Sequence, residues 1–144
     1  MQVQLQYGQY GLPIEIPSDN VRMIEPRFLP GLSDEAVEFQ AAVRHPIASA
    51  PLKDLIRPSD QVALVVPDLT RPFPAQRVLP WVFAELSHVP QENFTIHLGN
   101  GSHRLETDQE ISALLGANVA ANYRVINHNA CDPSTLELAG RDLD

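Results

Sequence analysis

A single cysteine, Cys131, stands in 144 residues, so no internal disulfide can form. That excludes a secreted framework stapled by disulfides. Long apolar runs are missing as well: nothing approaches the ~20 residues that a membrane-spanning helix needs. Residues 1–12 (MQVQLQYGQYGL) lack the basic start and continuous apolar stretch of a secretion signal, and a cytoplasmic location is expected. Basic residues are scarce. Ten Lys+Arg face eighteen Asp+Glu, giving a formal net charge of −8 and a pI near 5.0. A field of that sign repels phosphate backbones and anionic lipid, which sets nucleic acid and membranes aside as general partners. Proline alone is in excess, at 13 of 144 residues, roughly twice the usual share. The prolines are scattered beside candidate element ends and read as punctuation, not as a linker.

What is present is globular. The 44% hydrophobic content argues against wholesale disorder. A chain of this length buries about 68–70% of its unfolded surface, so one domain over residues 1–144 is expected. Residues 2–7 and 12–16 alternate around a turn at residues 8–11, which predicts a hairpin or edge strands within residues 1–30. A further short strand is expected at residues 21–25. Ser33, followed by Asp34 and Glu35, opens a helix to about Arg44, closed by His45-Pro46. Leu52, Leu55 and Ile56 mark a brief helical turn.

From Gln61 the pattern sharpens. Residues 61–66 form an uninterrupted β-prone run, the mark of a strand covered on both faces. Val78, Leu79, Val82, Phe83 and Leu86 predict a helix over residues 75–88, with Pro80 kinking it or setting its start. Residues 94–98 form a second strand. Thr107-x-x-Glu110 is a capping box ahead of Ile111, Leu114 and Leu115, residues 123–127 form a third strand, and residues 136–138 an edge strand. Residues 33–144 thus read as a helix plus a βαβαβ core. The expected class is α/β, a three-layer Rossmann-like domain with a mostly parallel sheet and an N-terminal β-hairpin or edge strands.

Ligands in such sheets bind at the carboxyl ends of the strands. The residues following the three strands are Pro67-Asp68-Leu69-Thr70-Arg71-Pro72, Gly99-Asn100-Gly101-Ser102-His103-Arg104 and Asn127-His128-Asn129-Ala130-Cys131-Asp132. Strands are spaced by roughly 4.8 Å, so the three loops are expected on one rim. Two readings of the first loop stay open. Asp68 caps the turn and pairs with Arg71, or Arg71 presents its fork to a carboxylate or phosphate while Asp68 holds it. Gly99-x-Gly101 allows close backbone approach to a ligand and an amide nest for an anion. It is only half of a dinucleotide fingerprint, since Arg104 stands where the third glycine belongs. His103 is the main acid/base candidate. His128, beside Asn127 and Asp132, fits a turn as well as a site. His128 and Cys131 lack a second ligand pair for zinc, and Cys131 is expected to be buried. His97 lies mid-strand, while His45 and His88 sit at helix ends.

These motifs in this order, Asp68-Leu69-Thr70-Arg71-Pro72, Gly99-x-Gly101-x-His103-Arg104 and Asn127-His128, resemble the N-terminal domain of nickel-dependent (nickel-pincer cofactor) lactate racemases. The upstream His45-Pro46-Ile47 segment is similar too, and the resemblance spans roughly residues 40–132. Asn100 stands where that family usually has Thr, and Leu105 where a proline commonly follows His-Arg. The resemblance implies an isomerase, a racemase or epimerase of lactate or related 2-hydroxy acids. Its cofactor is a nickel-pincer nucleotide tethered to a lysine and lying between two α/β domains. One histidine takes the hydroxyl proton while the α-hydride moves to the cofactor's pyridinium ring. The planar 2-keto acid then receives the hydride on its other face, beside a second histidine.

For this chain the resemblance implies His103 as an acid/base histidine and Arg71 as the residue holding substrate. It places Asp68, Thr70, Gly99 and Gly101 at the cofactor, with Asp68 there or supporting Arg71. No position matches the second histidine base, the cofactor-bearing lysine or the nickel-ligating histidine, and Lys53, in an upstream helical turn, is the only lysine. No metal ligand is assigned. The expected partners are a small 2-hydroxy acid and a C-terminal catalytic domain, without which the chain is expected to be inactive. Two other classes stay open: a non-catalytic small-anion or nucleotide-binding α/β module, and a structural or partner-docking domain whose rim is solvated loop.

Overall fold

The structure, a computed structural model, describes residues 1–17 and 20–136. Alternation around two glycines builds its first pair of elements. β1 (Gln2–Leu5) and β2 (Leu12–Glu15) pair antiparallel, from Gln2 opposite Glu15 to Leu5 opposite Leu12. The turn between them needs left-handed backbone at Gly8 and Gly11, and a Cβ on Gly11 would sit 2.8 Å from Gln4 Nε2. The strand expected at residues 21–25 does not form. Between Pro17 and Pro26 that stretch finds no pairing neighbour among the described residues, and a strand without a ladder partner is not stable. The hairpin belongs to one compact unit, Met1–Leu32; the second unit is Ser33–Asp144.

In the second unit the first helix, α1 (Glu35–Arg44), starts one residue later than Ser33 would place it. Asp34 is the cap: its Oδ1 accepts the N–H groups of Ala36 and Val37 at 3.1 and 3.0 Å. A carboxylate there both satisfies orphan donors and complements the helix dipole. α2 (Leu52–Leu55) is a single turn. α3 (Ala75–Glu85) runs through Pro80 without restarting. It meets α1 through Phe39 on Trp81, with ring centroids 5.7 Å apart, and through the ion pair of Arg44 with buried Glu85 at 2.8 Å.

β3 (Val62–Pro67), β4 (Phe94–Gly99) and β5 (Arg124–Asn127) form a parallel sheet in that order. Right-handed crossovers are the rule for parallel β-α-β units, and two that step the same way place both connecting helices on one face. The core records this. Val66, Ile96 and Leu98 pack with Ala75 and Leu79 of α3, Leu115 of α4 (Asp108–Leu115) and Val119 of α5 (Ala117–Asn122). Phe83 stacks on Tyr123 at 4.1 Å and meets Phe94 edge-on. The class is α/β with a parallel sheet and an N-terminal hairpin, as the sequence predicts. The covering of β3 is not: among the described residues no helix lies over the second face, where Val65 is 74% exposed and Ala63 and Arg124 are exposed. A run of valines is compatible with that because β3 is an edge strand whose inward residues alternate with outward ones.

The capping box forms in both directions between Thr107 and Glu110. Gly116, at φ +87°, ends α4 and admits α5, a short helix that the sequence pattern does not reveal. After β5 a 3₁₀ turn covers Pro133–Thr135, and Leu136 is not in a strand; residues 137 and 138 of the expected edge strand lie outside the described residues. Among the described residues no helix is long and apolar enough to cross a membrane.

Candidate functional site

Pro67 at the end of β3 is in register with Gly99 at the end of β4. Parallel pairing therefore sets the loops that follow side by side. Between them lies a cavity of about 280 Å³, lined by Pro67, Asp68 and Arg71 from one loop and residues 99–103 from the other. Arg71 and His103 thus share one hollow.

Its central contact joins Asp68 to His103. Asp68 is only 4% exposed, and its Oδ2 meets Nδ1 of the His103 ring. The other oxygen, Oδ1, accepts the Thr70 hydroxyl at 2.6 Å and the Thr70 N–H at 3.2 Å. The bond from His103, followed by that from the Thr70 hydroxyl, holds the Asp68 carboxyl below the usual carboxylate range, although burial pushes the other way. An ionised Asp68 accepts only, so the bond assigns a proton to Nδ1, and in the neutral ring the lone pair is then the one on Nε2. Nε2 has no partner among the described residues. The half-exposed ring is carried on a turn closed by His103 N–H donating to Asn100 O at 3.0 Å.

The sequence reading in which Asp68 holds the Arg71 fork is corrected here. Both carboxylate oxygens are occupied by His103 and Thr70, and among the described residues the Arg71 guanidinium makes no hydrogen bond or ion pair. The loop itself is tied down by its own backbone. Leu69 N–H donates to Glu106 Oε1 at 3.4 Å, Arg71 N–H to Asp68 O at 3.1 Å, Phe73 N–H to Arg71 O at 2.7 Å and Ala75 N–H to Phe73 O at 2.9 Å. Pro72 and Pro74 have no N–H to satisfy. Thr70 is exposed and turned to Asp68; it does not line the cavity.

On the opposite wall Gly101 adopts φ +55°, and a Cβ there would meet nothing within 4 Å. Close approach of a ligand to this backbone is open. Asn100, 1% exposed, donates to Asn127 Oδ1 at 2.7 Å, and Asn127 in turn clasps the backbone of Glu106. The third loop therefore reaches the site from behind, through Asn127. Sequence reasoning missed Glu106, whose place between the His-Arg motif and a capping box looks like surface; its burial has no periodic signal.

The remaining candidates lie elsewhere. His128 is half-buried and does not line the cavity. Cys131 is exposed, not buried: its N–H closes a turn on Asn129 Oδ1 at 3.1 Å, beyond the last strand that packs on the core. His97 sits half-buried in β4 in register with Val65, His88 Nε2 lies 2.8 Å from Ile56 O, and His45 caps α1 through its backbone. Arg104 does not line the cavity and forms a fork on Glu110, at 2.9 and 2.6 Å. Those bonds, with the Thr107 N–H, pull the Glu110 carboxyl down to about 2.

A hollow of about 400 Å³ inside the hairpin, lined by residues 4–11, presents no carboxylate, imidazole or guanidinium, so it lacks the means for acid/base work. Among the described residues no group of three or more His, Cys, Asp or Glu is placed to hold a metal ion.

Comparison with known proteins adds a family. The sequence model described as "Lactate racemase N-terminal domain" matches residues 7–142. The lactate racemase of Thermoanaerobacterium thermosaccharolyticum is 25% identical over 143 residues, covering 96% of this chain and 33% of that protein. That of Lactiplantibacillus plantarum is 26% identical over 108 residues, covering 74% of this chain and 26% of its own. The solved structure of the lactate racemase apoprotein from T. thermosaccharolyticum matches with a TM-score of 0.78 at 25% identity, over 97% of this chain and 33% of that one. The chain therefore spans a third or less of the relatives it matches.

Proposed function

Because the chain belongs to the lactate racemase N-terminal domain family, we propose that it is the substrate- and cofactor-facing domain of a racemase or epimerase acting on lactate or a related 2-hydroxy acid. The observation that carries this reading is the Asp68–His103 pair facing the same cavity as Arg71, whose guanidinium has no partner among the described residues. A 2-hydroxy acid has a carboxylate and a hydroxyl on adjacent carbons. Arg71 offers a two-pronged donor to the first. Nε2 of His103 accepts the proton of the second, and Asp68 stabilises the imidazolium that results. Run backwards, Nε2–H returns the proton. Thr70 serves the pair by holding Asp68 in place and keeping it ionised.

The residues also fit the family's cofactor in one respect: at Gly101 an added Cβ would meet nothing within 4 Å among the described residues, so the backbone there gives an open wall against which a nucleotide can lie. When bound, the nickel-pincer nucleotide supplies an acceptor for the α-hydride. Its metal and tether would be held by other parts of the enzyme, since Lys53, exposed on α2, is the only lysine and lines no part of the cavity. A C-terminal domain supplies the second base on this reading, so the chain alone turns nothing over.

The test is His103→Gln in the full-length protein. Turnover is expected to fall by on the order of 10²–10⁴-fold with substrate binding retained. Arg71→Ala is expected instead to raise the Kd for the 2-hydroxy acid by about 10–100-fold. Undiminished turnover in His103→Gln defeats the reading.

A further inference from the structure

We infer that Asn127 is a positioning residue for the Asp68–His103 pair, an inference that rests on the acid/base reading of His103. Asn127 ends β5 and touches neither partner of the pair. Its Nδ2 donates to the Glu106 carbonyl at 2.7 Å, and its Oδ1 accepts the Glu106 N–H at 3.3 Å. That two-point clasp on one residue's backbone fixes which end of the Asn127 amide is oxygen. Oδ1 is thus the atom facing Asn100, and Asn100 must present Nδ2 to it, as it does at 2.7 Å.

From this clamp two short routes lead to the pair. Asn100 holds the turn that carries His103, because its carbonyl accepts the His103 N–H at 3.0 Å. Glu106 reaches the other loop, its Oε1 accepting the N–H of Leu69, the residue after Asp68, at 3.4 Å. One side-chain amide therefore ties together the loops that deliver the carboxylate and the imidazole. The clamp also accounts for two otherwise odd atoms. Asn100 Oδ1 and Glu106 Oε2 are enclosed without a donor among the described residues. Each is the leftover end of a group whose other end is committed to the strut. Buried acceptors are rarely left unpaired, and here the fixed relation of the loops is what the arrangement yields in return.

The readout is the His103 ring in the ¹⁵N-labelled chain. Unchanged protein, read at a pH where the ring is neutral, is expected to show a protonated Nδ1 and a bare Nε2. In Asn127→Ala the two nitrogen shifts should converge as the tautomers exchange. In the full-length protein kcat should drop by about 10–100-fold with KM little changed, the loss expected when reacting groups are misplaced by about 1 Å. A second pair of variants guards against misfolding. Asn100→Thr keeps a hydroxyl donor towards Asn127 Oδ1, whereas Asn100→Val, close in volume, does not. Thr is expected to preserve the ring signature and Val to lose it. A folded Asn127→Ala with unchanged ring signals overturns the inference, and so does Val behaving as Thr; where Asn127→Ala does not fold, the Thr/Val pair decides. The ring is read without turnover, so this failure is distinct from that of the acid/base reading, which appears as full activity in His103→Gln.

Discussion

Asp68 is almost wholly buried, yet its carboxylate grips a His103 ring whose other edge stands half open to solvent. A buried anion thus selects the tautomer of an imidazole that lines the cavity.

Asp68→Asn keeps the size and removes the charge. The amide no longer favours the proton on Nδ1, and its NH₂ end pushes that proton to Nε2, where it blocks acceptance of a hydroxyl proton. Turnover of the full-length protein is expected to fall by on the order of 10²–10⁴-fold with the circular dichroism unchanged. A kcat within a few-fold of the original would show that the tautomer does not matter.

Gly101→Ala tests the backbone of the far wall. Its φ of +55° is costly for any residue with a Cβ, but no atom lies within 4 Å of the methyl to be added. The cost should be the conformational one alone, about 1–2 kcal/mol, read as a lower urea midpoint at constant slope. A much larger loss would mean that the wall is closed, not open.

The Arg104–Glu110 clasp gives a pH signature. Glu110 titrates at about 2, chiefly through its Arg104 hydrogen bonds, against an ordinary value near 4.3. A carboxyl depressed by folding stabilises the fold above its unfolded pKa, and that contribution disappears as pH falls through the folded one. The clasp is therefore complete above about pH 4.3 and gone below about 2. Carboxyl ¹³C titration should place Glu110 at the low value, and Arg104→Gln should move it back towards the ordinary one. No movement would deny Arg104 its part.

Much of this was legible in the residues. Thr107 and Glu110 announce their capping box because capping is local, and residues 94–98 announce β4 because alternation around Ile96 and Leu98 is a period-2 signal. His103 and Arg71 stand out since a loop after a parallel strand is where such groups converge. What was illegible depends on neighbours. Asp68 had two cations within reach, Arg71 in its own loop and His103 in the next, and only tertiary packing selects between them. The bare side of Val65 follows from strand order, which a run of valines does not encode. The Asn100–Asn127 amide bond joins residues 27 positions apart, and neither asparagine differs in sequence from an ordinary turn residue.

Residues 69–75 spend every main-chain amide they possess on partners inside the protein. An incoming anion on that bank of the hollow meets one guanidinium and no free peptide N–H. Across from it the amides of Gly101 and Ser102 remain unclaimed among the described residues. Affinity on the first bank can be rewritten by exchanging a single side chain. On the second it is written into the course of the chain, where only a change that bends the backbone can erase it.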